Sequence, residues 1–167
     1  QLSYEAIKNA ILDTKLEYLK VITAAPDLAA LEIELVQAMS RELRLKRIIE
    51  ILKPYFEFII IDAPPSLNLL TINTLAASSS VLIPVQCEYF ALQGLAELFN
   101  TIRLVQKNLN SGLKIEGALL TMYDNRLTLS KQVADEVRSC IPENVFQTII
   151  PRNVKLGEAP SHGKPVI

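Results

Sequence analysis

Short apolar runs that alternate with segments of helical periodicity most strongly limit how this 167-residue chain can fold. The runs that predict strands are residues 18–23, 58–61, 80–85, 115–123 and 144–150. Between them, apolar residues recur every three or four positions, which predicts helices over 34–52, 92–109 and 127–141. Strands joined by helices run parallel, and continuous apolar strands are typical of a parallel sheet covered on both faces. The sequence therefore predicts a single α/β domain over residues 1–167, with a mostly parallel sheet and helices on both faces.

The composition limits the classes of protein to which this chain can belong. Half of its residues are hydrophobic (50%) and its mean hydropathy is +0.25, which suits a buried parallel sheet. No apolar run approaches the about 18–20 residues of a membrane helix, so we expect no membrane partner. The net charge of −1 neither predicts nor excludes nucleic acid, which would need a local basic patch. Cys87 and Cys140 lack CxxC spacing, so we expect two buried thiols in a reducing cytoplasm rather than a disulfide or a metal site.

A lone acid, Asp62, ends the apolar run 58–61, and Pro64 and Pro65 follow it in "FIIIDAPPS". Ligands of open parallel sheets bind at the carboxyl ends of the strands. A carboxylate that faces a phosphate-bound Mg²⁺ from that position is the Walker B arrangement of nucleotide hydrolases. The alternative is an aspartate that caps the next turn. The prolines hold the following loop extended, as either a switch segment beside a phosphate or a plain rigid turn.

Three longer blocks occur in order over about residues 20–167. They read "LEIELVQAMSRELRLKRIIEIL", "FIIIDAPPSLNLLTINTLAASSSVLIPVQCEYFALQGL" and "TIIPRNVKLGEAPSHGKPVI". Through them the chain resembles the ParA/Soj family, deviant-Walker P-loop ATPases of the MinD/ParA group and SIMIBI type that partition chromosomes and plasmids. The resemblance implies a bacterial, cytoplasmic, nucleoid-associated protein with ATP and Mg²⁺ as cofactors. Its ATP-bound homodimer would bind DNA non-specifically, and a ParB-type partner would stimulate hydrolysis.

The resemblance also implies where a nucleotide would lie. Asp62 matches the Walker B acid that supports Mg²⁺, directly or through water. Residues 63–66, including Pro64 and Pro65, match the switch II segment beside the γ-phosphate. The loop that approaches the adenine base is matched by Pro151, Arg152 and Asn153.

Two basic positions and one block match the family's other surfaces. Arg126 and Lys155 match positions used for non-specific DNA binding, although ordinary solvated charges are the alternative. The block from Gln86 to Gly94 matches a surface near the interface of the nucleotide-sandwich dimer.

The P-loop of the family has no counterpart in these 167 residues, because they contain neither G-x-x-x-x-G-K-[ST] nor KGGxGK[ST]. The P-loop supplies the backbone N–H groups and the lysine that hold the phosphates. We therefore expect the central and C-terminal part of a ParA-type domain, N-terminally incomplete, with no catalytic residue and no ATP hydrolysis of its own. In the family the P-loop strand lies beside the Walker B strand, so an unpaired apolar edge is also expected. The alternative is a non-catalytic DNA- or partner-binding module derived from the same fold.

Overall fold

The computed structural model describes residues 2–25, 27–28, 34–35, 37–64, 66–88, 91–141 and 144–163. The chain divides into two compact units. The first contains Gln1–Ser78 and Leu104–Gly112, and the second contains Ser79–Arg103 and Leu113–Ile167. No helix in the described ranges combines the length and apolar character that crossing a membrane requires.

The first unit is a short hairpin followed by two packed helices. Its elements are α1 (Tyr4–Lys8), β1 (Leu12–Asp13), β2 (Lys20–Val21), a 3₁₀ turn (Arg41–Leu43), α2 (Arg44–Leu52), a second 3₁₀ turn (Lys53–Tyr55) and α3 (Leu69–Ala77). Strands β1 and β2 pair antiparallel. The core between α2 and α3 contains Ile49, Leu52, Leu75 and Ala76, all buried.

The buried side chain of Asn73 connects α3 to the turn that precedes α2 and to the first turn of α2. Its Nδ2 donates to the carbonyl oxygens of Arg41 and Leu69 (2.9 and 3.0 Å). Its Oδ1 accepts the backbone N–H of Leu45 (3.2 Å). Since Asn73 is only 4% exposed, these bonds satisfy a polar group that would otherwise be costly to bury.

The first unit departs from the sequence predictions in two places before residue 58. The predicted strand 18–23 is reduced to Lys20–Val21, which pairs in an exposed antiparallel hairpin rather than in the parallel sheet. Ser40 has φ 52°, a left-handed conformation that interrupts the predicted helix 34–52 between residues 34–35, which are helical, and α2, which begins at Arg44. A left-handed residue cannot continue a right-handed helix.

The prediction of a buried strand over residues 58–61 is wrong for the structure of this chain. No strand is assigned there, and the side chains of Phe58 and Ile60 are 80% and 92% exposed. A strand inside a sheet needs neighbours that pair with its backbone groups. Within the described part of the chain, no segment pairs with residues 58–61.

Helix α3, over Leu69–Ala77, was not predicted. Its signal is local, because Asn68 is an N-cap whose Oδ1 accepts the backbone N–H of Thr71 (3.2 Å). The helix ends at Ser78, where Nδ2 of Asn110 donates to the carbonyl oxygens of Leu75 and Ser78 (3.0 and 2.7 Å). Both ends of α3 are therefore closed by asparagine amides.

The second unit is built on a parallel sheet of order β3–β4–β5. Its elements are β3 (Ser80–Gln86), α4 (Ala91–Asn108, whose last residues belong to the first unit), β4 (Lys114–Tyr123), α5 (Thr128–Cys140), β5 (Val145–Pro151), α6 (Val154–Glu158) and a 3₁₀ turn (Ala159–His162). Ile102, Leu120 and Val137 are completely buried in its core. The predicted strands 80–85, 115–123 and 144–150 and the predicted helices 92–109 and 127–141 are confirmed, and so is the α/β fold class.

Gly117 allows β4 to pass close to the beginning of β5. It has φ 151° and lies next to a shift in the pairing of β3 with β4. A Cβ atom at this position would lie 3.0 Å from the carbonyl oxygen of Asn144 and 3.0 Å from the ring of Phe146. Glycine is needed here because any side chain would meet this backbone oxygen.

Strand β3 is an edge strand of the described sheet. The carbonyl oxygen of Ser79 and the N–H of Cys87 both bond to β4 (3.0 and 3.1 Å). Because backbone groups alternate along a strand, those of Leu82, Pro84 and Gln86 point to the other edge. Pro84 has no N–H, so it offers that edge no donor at the middle of the strand.

Candidate functional site

Asp62 lies in the first unit, in an irregular segment between the turn Lys53–Tyr55 and α3. Asp62 and Pro64 are exposed, and Pro65 lies outside the described residues. The end of the segment is fixed to α3, because Oγ1 of Thr71 donates to the carbonyl oxygen of Ser66. The predicted switch segment is therefore anchored on its C-terminal side.

Asp62 presents a single carboxylate, which is exposed in the described part of the chain. In the described ranges, no group of three or more His, Cys, Asp or Glu residues could hold a metal ion. Asp62 would supply a single carboxylate. That fits Mg²⁺, which is commonly bound by one or two carboxylates together with phosphate and water.

The other predicted site residues lie in the second unit, where Pro151 is the last residue of β5 and the others lie beyond the carboxyl ends of strands. Glu88 follows β3, Asp124 and Arg126 follow β4, and Arg152 follows β5. We call these four residues the strand-end cluster. Parallel neighbours end at one edge of a sheet, which is the edge where open α/β proteins bind ligands.

Arg152 connects the three strand ends. Its backbone N–H donates to the carbonyl oxygen of Tyr123 (2.9 Å), the residue that pairs with Pro151 in the sheet. Its guanidinium forms an ion pair with Glu88 through Nη2 and Oε1. The guanidinium of Arg152 is thus already paired, while the predicted adenine loop around it is tied to the sheet.

Arg126 is held by Asp124 through three hydrogen bonds. Its Nε donates to Oδ1 (2.9 Å) and its Nη2 donates to Oδ2 (2.7 Å). Its backbone N–H donates to Oδ1 as well (3.0 Å). The Arg126 side chain is 83% exposed, whereas that of Asp124 is 11% exposed, so the guanidinium covers the carboxylate. Hydrogen bonds from Arg126, together with the charges of Arg126 and Arg152, lower the pKa of Asp124 to about 2.

The remaining predicted residues begin the short helix α6. Asn153 is its N-cap, and its Oδ1 accepts the backbone N–H of Lys155 (3.0 Å). Lys155 is exposed. Asn153 therefore has a local structural role in addition to the predicted adenine contact.

The block from Gln86 to Gly94 begins at the end of β3. Cys87 is buried, and this burial raises the pKa of its thiol. Cys140 is exposed, so the prediction of two buried thiols is correct for Cys87 and wrong for Cys140. Residues 89–90 lie outside the described part, and α4 begins at Ala91.

Sequence reasoning missed Glu88 and Asp124. The signal for Asp124 was an acid two residues before an arginine in "YDNR", directly after a strand. An aspartate in this position readily accepts the N–H two residues ahead, which brings the arginine side chain back over its carboxylate. Glu88 had no comparable local signal, because its partner is 64 residues away.

The parallel sheet and its connecting helices define an open α/β protein, a class in which ligands bind beyond the carboxyl ends of the strands. A family model described as an AAA domain matches residues 2–115. The chain is 60% identical over 159 residues to the sporulation initiation inhibitor protein Soj of Bacillus subtilis, with 95% of this chain and 63% of that protein covered. It is 51% identical over 170 residues to the chromosome partitioning protein ParA of Myxococcus xanthus, with 98% and 60% covered. The chain belongs to the ParA/Soj family of partitioning ATPases. It spans about three fifths of the length of these two relatives.

Solved structures with the same fold support the assignment of the fold class. Cobyrinic acid a,c-diamide synthase from Mycobacterium smegmatis, with bound ADP and magnesium, has a TM-score of 0.80 and is 33% identical to this chain. The comparison covers 98% of this chain and 74% of the synthase. A complex of McdA(D38A) with ATP from Cyanothece has a TM-score of 0.86 at 18% identity, over 94% of this chain and 62% of McdA. The second likeness concerns the fold alone.

Proposed function

We propose that the protein acts as a ParA-type partitioning ATPase. Mg-ATP would close a homodimer, the dimer would bind DNA non-specifically, and a ParB-type partner would stimulate hydrolysis and release the DNA. The observation that carries the proposal is the 60% identity to Soj, which extends over 95% of the chain. Soj and its relative in Myxococcus xanthus are named for sporulation control and for chromosome partitioning respectively.

In the nucleotide half of this proposal, Asp62 supports Mg²⁺ with one carboxylate, directly or through a water molecule. Pro64 and Pro65 pass beside the terminal phosphate, and Pro151, Arg152 and Asn153 lie beside the adenine base. Two observations support these roles. The segment after Asp62 is anchored at Ser66 on α3, and the loop after β5 is anchored to β4 by the Arg152 backbone. Mg-ATP supplies a phosphoanhydride whose terminal phosphoryl group is transferred to water.

ATP hydrolysis also needs the P-loop groups, which these 167 residues do not contain. We expect no ATP turnover by this chain of 167 residues, and turnover by the protein expressed from a reading frame that includes a KGGxGKT stretch. The measurement is phosphate release with and without DNA and a ParB-type partner. Turnover by the 167-residue chain itself would contradict the assignment of the nucleotide half. Asp62→Asn in the active protein should reduce turnover at least tenfold, and Asp27→Asn, another acid of the first unit, is the matched control.

In the DNA half of the proposal, Arg126 and Lys155 contact phosphates. Both residues are exposed and both follow carboxyl ends of strands in the second unit. We expect the double variant Arg126→Glu with Lys155→Glu to abolish DNA binding while ATP-dependent dimerisation persists. DNA affinity falls with salt, and the slope of the logarithm of the association constant against the logarithm of the salt concentration (the log–log salt slope) measures this dependence. Each phosphate contact that is lost should make this slope shallower by about 0.9.

The matched control makes the same change of charge elsewhere in the second unit. Lys131→Glu with Arg138→Glu replaces two cations on α5, and this variant should retain most of the DNA affinity. Equal losses in the two double variants would mean that net charge, rather than these two positions, determines binding.

A second candidate is a non-catalytic DNA- or partner-binding module, which the lack of a P-loop motif in these 167 residues favours. The two candidates differ in their dependence on nucleotide. A module binds DNA or a ParB-type partner equally with and without Mg-ATP, whereas a ParA-type ATPase binds DNA only in the ATP-bound dimer. For either candidate we propose a bacterial, cytoplasmic and nucleoid-associated location, which a fluorescent fusion in living cells would test.

A further inference from the structure

Arg126, which is proposed to contact DNA, already donates hydrogen bonds to Asp124 in this structure. Two of the five N–H donors of the Arg126 guanidinium bond to Asp124, one to each carboxylate oxygen. This two-pronged geometry is the strongest arrangement available to an arginine and a carboxylate. The same geometry is the one that arginine uses to bind a phosphate. Asp124 therefore occupies one of the two-donor edges that Arg126 could offer a phosphate.

We infer that Asp124 is an internal competitor for Arg126, an autoinhibitory contact that a DNA phosphate has to displace or share. The inference rests on the proposed DNA-binding function of Arg126. As long as the pair is intact, an approaching phosphate meets a guanidinium whose charge is balanced by the carboxylate beneath it. Asp124 thereby lowers the affinity for DNA and its dependence on salt.

Three features of the site support competition. The Arg126 side chain is 83% exposed, so a phosphate can reach it from solvent, whereas Asp124 is 11% exposed and stays in place. The Oδ1 atom of Asp124 also accepts the Arg126 backbone N–H, which keeps the carboxylate beside the guanidinium. The charge of Arg152 also acts on Asp124, so the carboxylate retains a nearby cation when Arg126 turns to a phosphate.

The chain offers a matched control in the same unit. Asp135 and Arg138 on α5 form a single contact of 3.4 Å between Nη1 and Oδ1. Their side chains are 76% and 45% exposed, so Asp135 is solvated and holds its arginine weakly. Asp135→Asn removes the same charge as Asp124→Asn but releases no arginine from a two-pronged pair.

The test compares Asp124→Asn with the wild type and with Asp135→Asn. Asparagine keeps an Oδ1 acceptor for the Arg126 backbone N–H. It removes the charge and replaces Oδ2, the acceptor of the Nη2 hydrogen bond, with an NH₂ donor, so the two-pronged pair is lost as well. The probe is a short mixed-sequence DNA duplex, measured by fluorescence anisotropy over a range of salt concentrations. The protein is expressed from its complete reading frame and saturated with a non-hydrolysable ATP analogue.

We expect Asp124→Asn to bind DNA about fivefold more tightly at low salt, the factor for removing one like charge about 4 Å from a phosphate in water. Its log–log salt slope should be steeper by about 0.9, as for one more neutralised phosphate. Asp135→Asn should stay within about twofold of the wild type, because exposed single contacts contribute little. Equal or weaker binding by Asp124→Asn, or an equal gain in Asp135→Asn, would overturn the inference.

Two further variants separate the inference from the function on which it rests. If Arg126→Ala leaves DNA affinity unchanged, the DNA-binding role of Arg126 is wrong and the inference is wrong with it. If Arg126→Ala weakens binding while Asp124→Asn does not strengthen it, only the inference is wrong. Asp124→Ala removes the whole carboxyl group, leaves Arg126 unchanged and serves if Asp124→Asn does not fold. Since alanine cannot pair with the guanidinium, this variant should also bind DNA more tightly than the wild type, and equal or weaker binding would count against competition.

Discussion

The amide of Asn73 stabilises the first unit by an amount that can be worked out from its contacts. Asn73→Ala removes the donor to the Arg41 carbonyl and the acceptor of the Leu45 N–H, the two bonds that connect different elements. Each such bond contributes about 1 kcal/mol net. The third bond, to Leu69, lies within the helix and adds little. A small cavity at a site that is 4% exposed adds to the loss, so we expect the free energy of unfolding to fall by about 2–3 kcal/mol.

The assay is urea unfolding of the 167-residue chain, followed by far-ultraviolet circular dichroism. The midpoint should fall while the slope stays constant, because the surface exposed on unfolding hardly changes. Asn108→Ala is the matched control, since the Asn108 amide donates only to the Leu104 carbonyl of its own helix (2.9 Å) and is exposed. That variant should stay within about 0.5 kcal/mol of the wild type.

A second substitution at Asn73 tests the same hydrogen bonds with a charged side chain. Asn73→Asp keeps the acceptor for the Leu45 N–H but directs a carboxylate at the two carbonyl oxygens that the amide contacts. A buried charge without a donor costs more than a missing side chain, so this variant should be less stable than Asn73→Ala. A loss below about 0.5 kcal/mol for Asn73→Ala, or a milder effect for Asn73→Asp, would refute the idea that this amide connects the two helices.

Three further predictions concern the second unit. Gly117→Ala should lower the free energy of unfolding by at least about 1 kcal/mol, because its Cβ would meet a backbone oxygen and an aromatic ring; an unchanged urea midpoint would contradict this. A maleimide reagent should modify Cys140 in the native protein much faster than Cys87, whose thiol is buried and has a raised pKa; mass spectrometry of timed samples would reveal the opposite order. The folded pKa of Asp124, about 2, is below its ordinary value of 3.8, so its ion pair should stabilise the fold above about pH 4 and weaken as the pH falls toward 2. Carbon-13 shifts of the carboxyl group would show the midpoint, and titration near the ordinary value would contradict the pairing with Arg126.

The second unit was predictable from the sequence because its strands and helices alternate in chain order. Strands such as 115–123 and helices such as 127–141 carry their own apolar pattern, and the three strands pair in chain order. The prediction for residues 58–61 depended instead on a neighbouring strand. Without a segment that pairs with Phe58 and Ile60, the same apolar residues are exposed to solvent. An apolar run predicts a buried strand only when the chain also supplies its partners.

The candidate site was predictable in its positions but not in its pairing. Arg126 and Arg152 were expected to be available for ligands, and the structure pairs them with Asp124 and Glu88. Pairing depends on how side chains lie at the ends of separate strands, which periodicity does not encode. The missed helix α3 has a different cause. Its polar residues Thr71, Asn73 and Thr74 lie on different sides of the helix, so no helical period is visible, and only the cap at Asn68 indicated its start.

Pro84 limits the hydrogen bonds that another strand could form with the outer edge of β3 in the described sheet. An exposed strand edge is a template on which another molecule can stack and begin a fibril. Along the outer edge of β3, the ring nitrogen of Pro84 interrupts the row of donors between Leu82 and Gln86. A strand from another molecule that paired with this edge would therefore form two short runs of backbone hydrogen bonds rather than one long run.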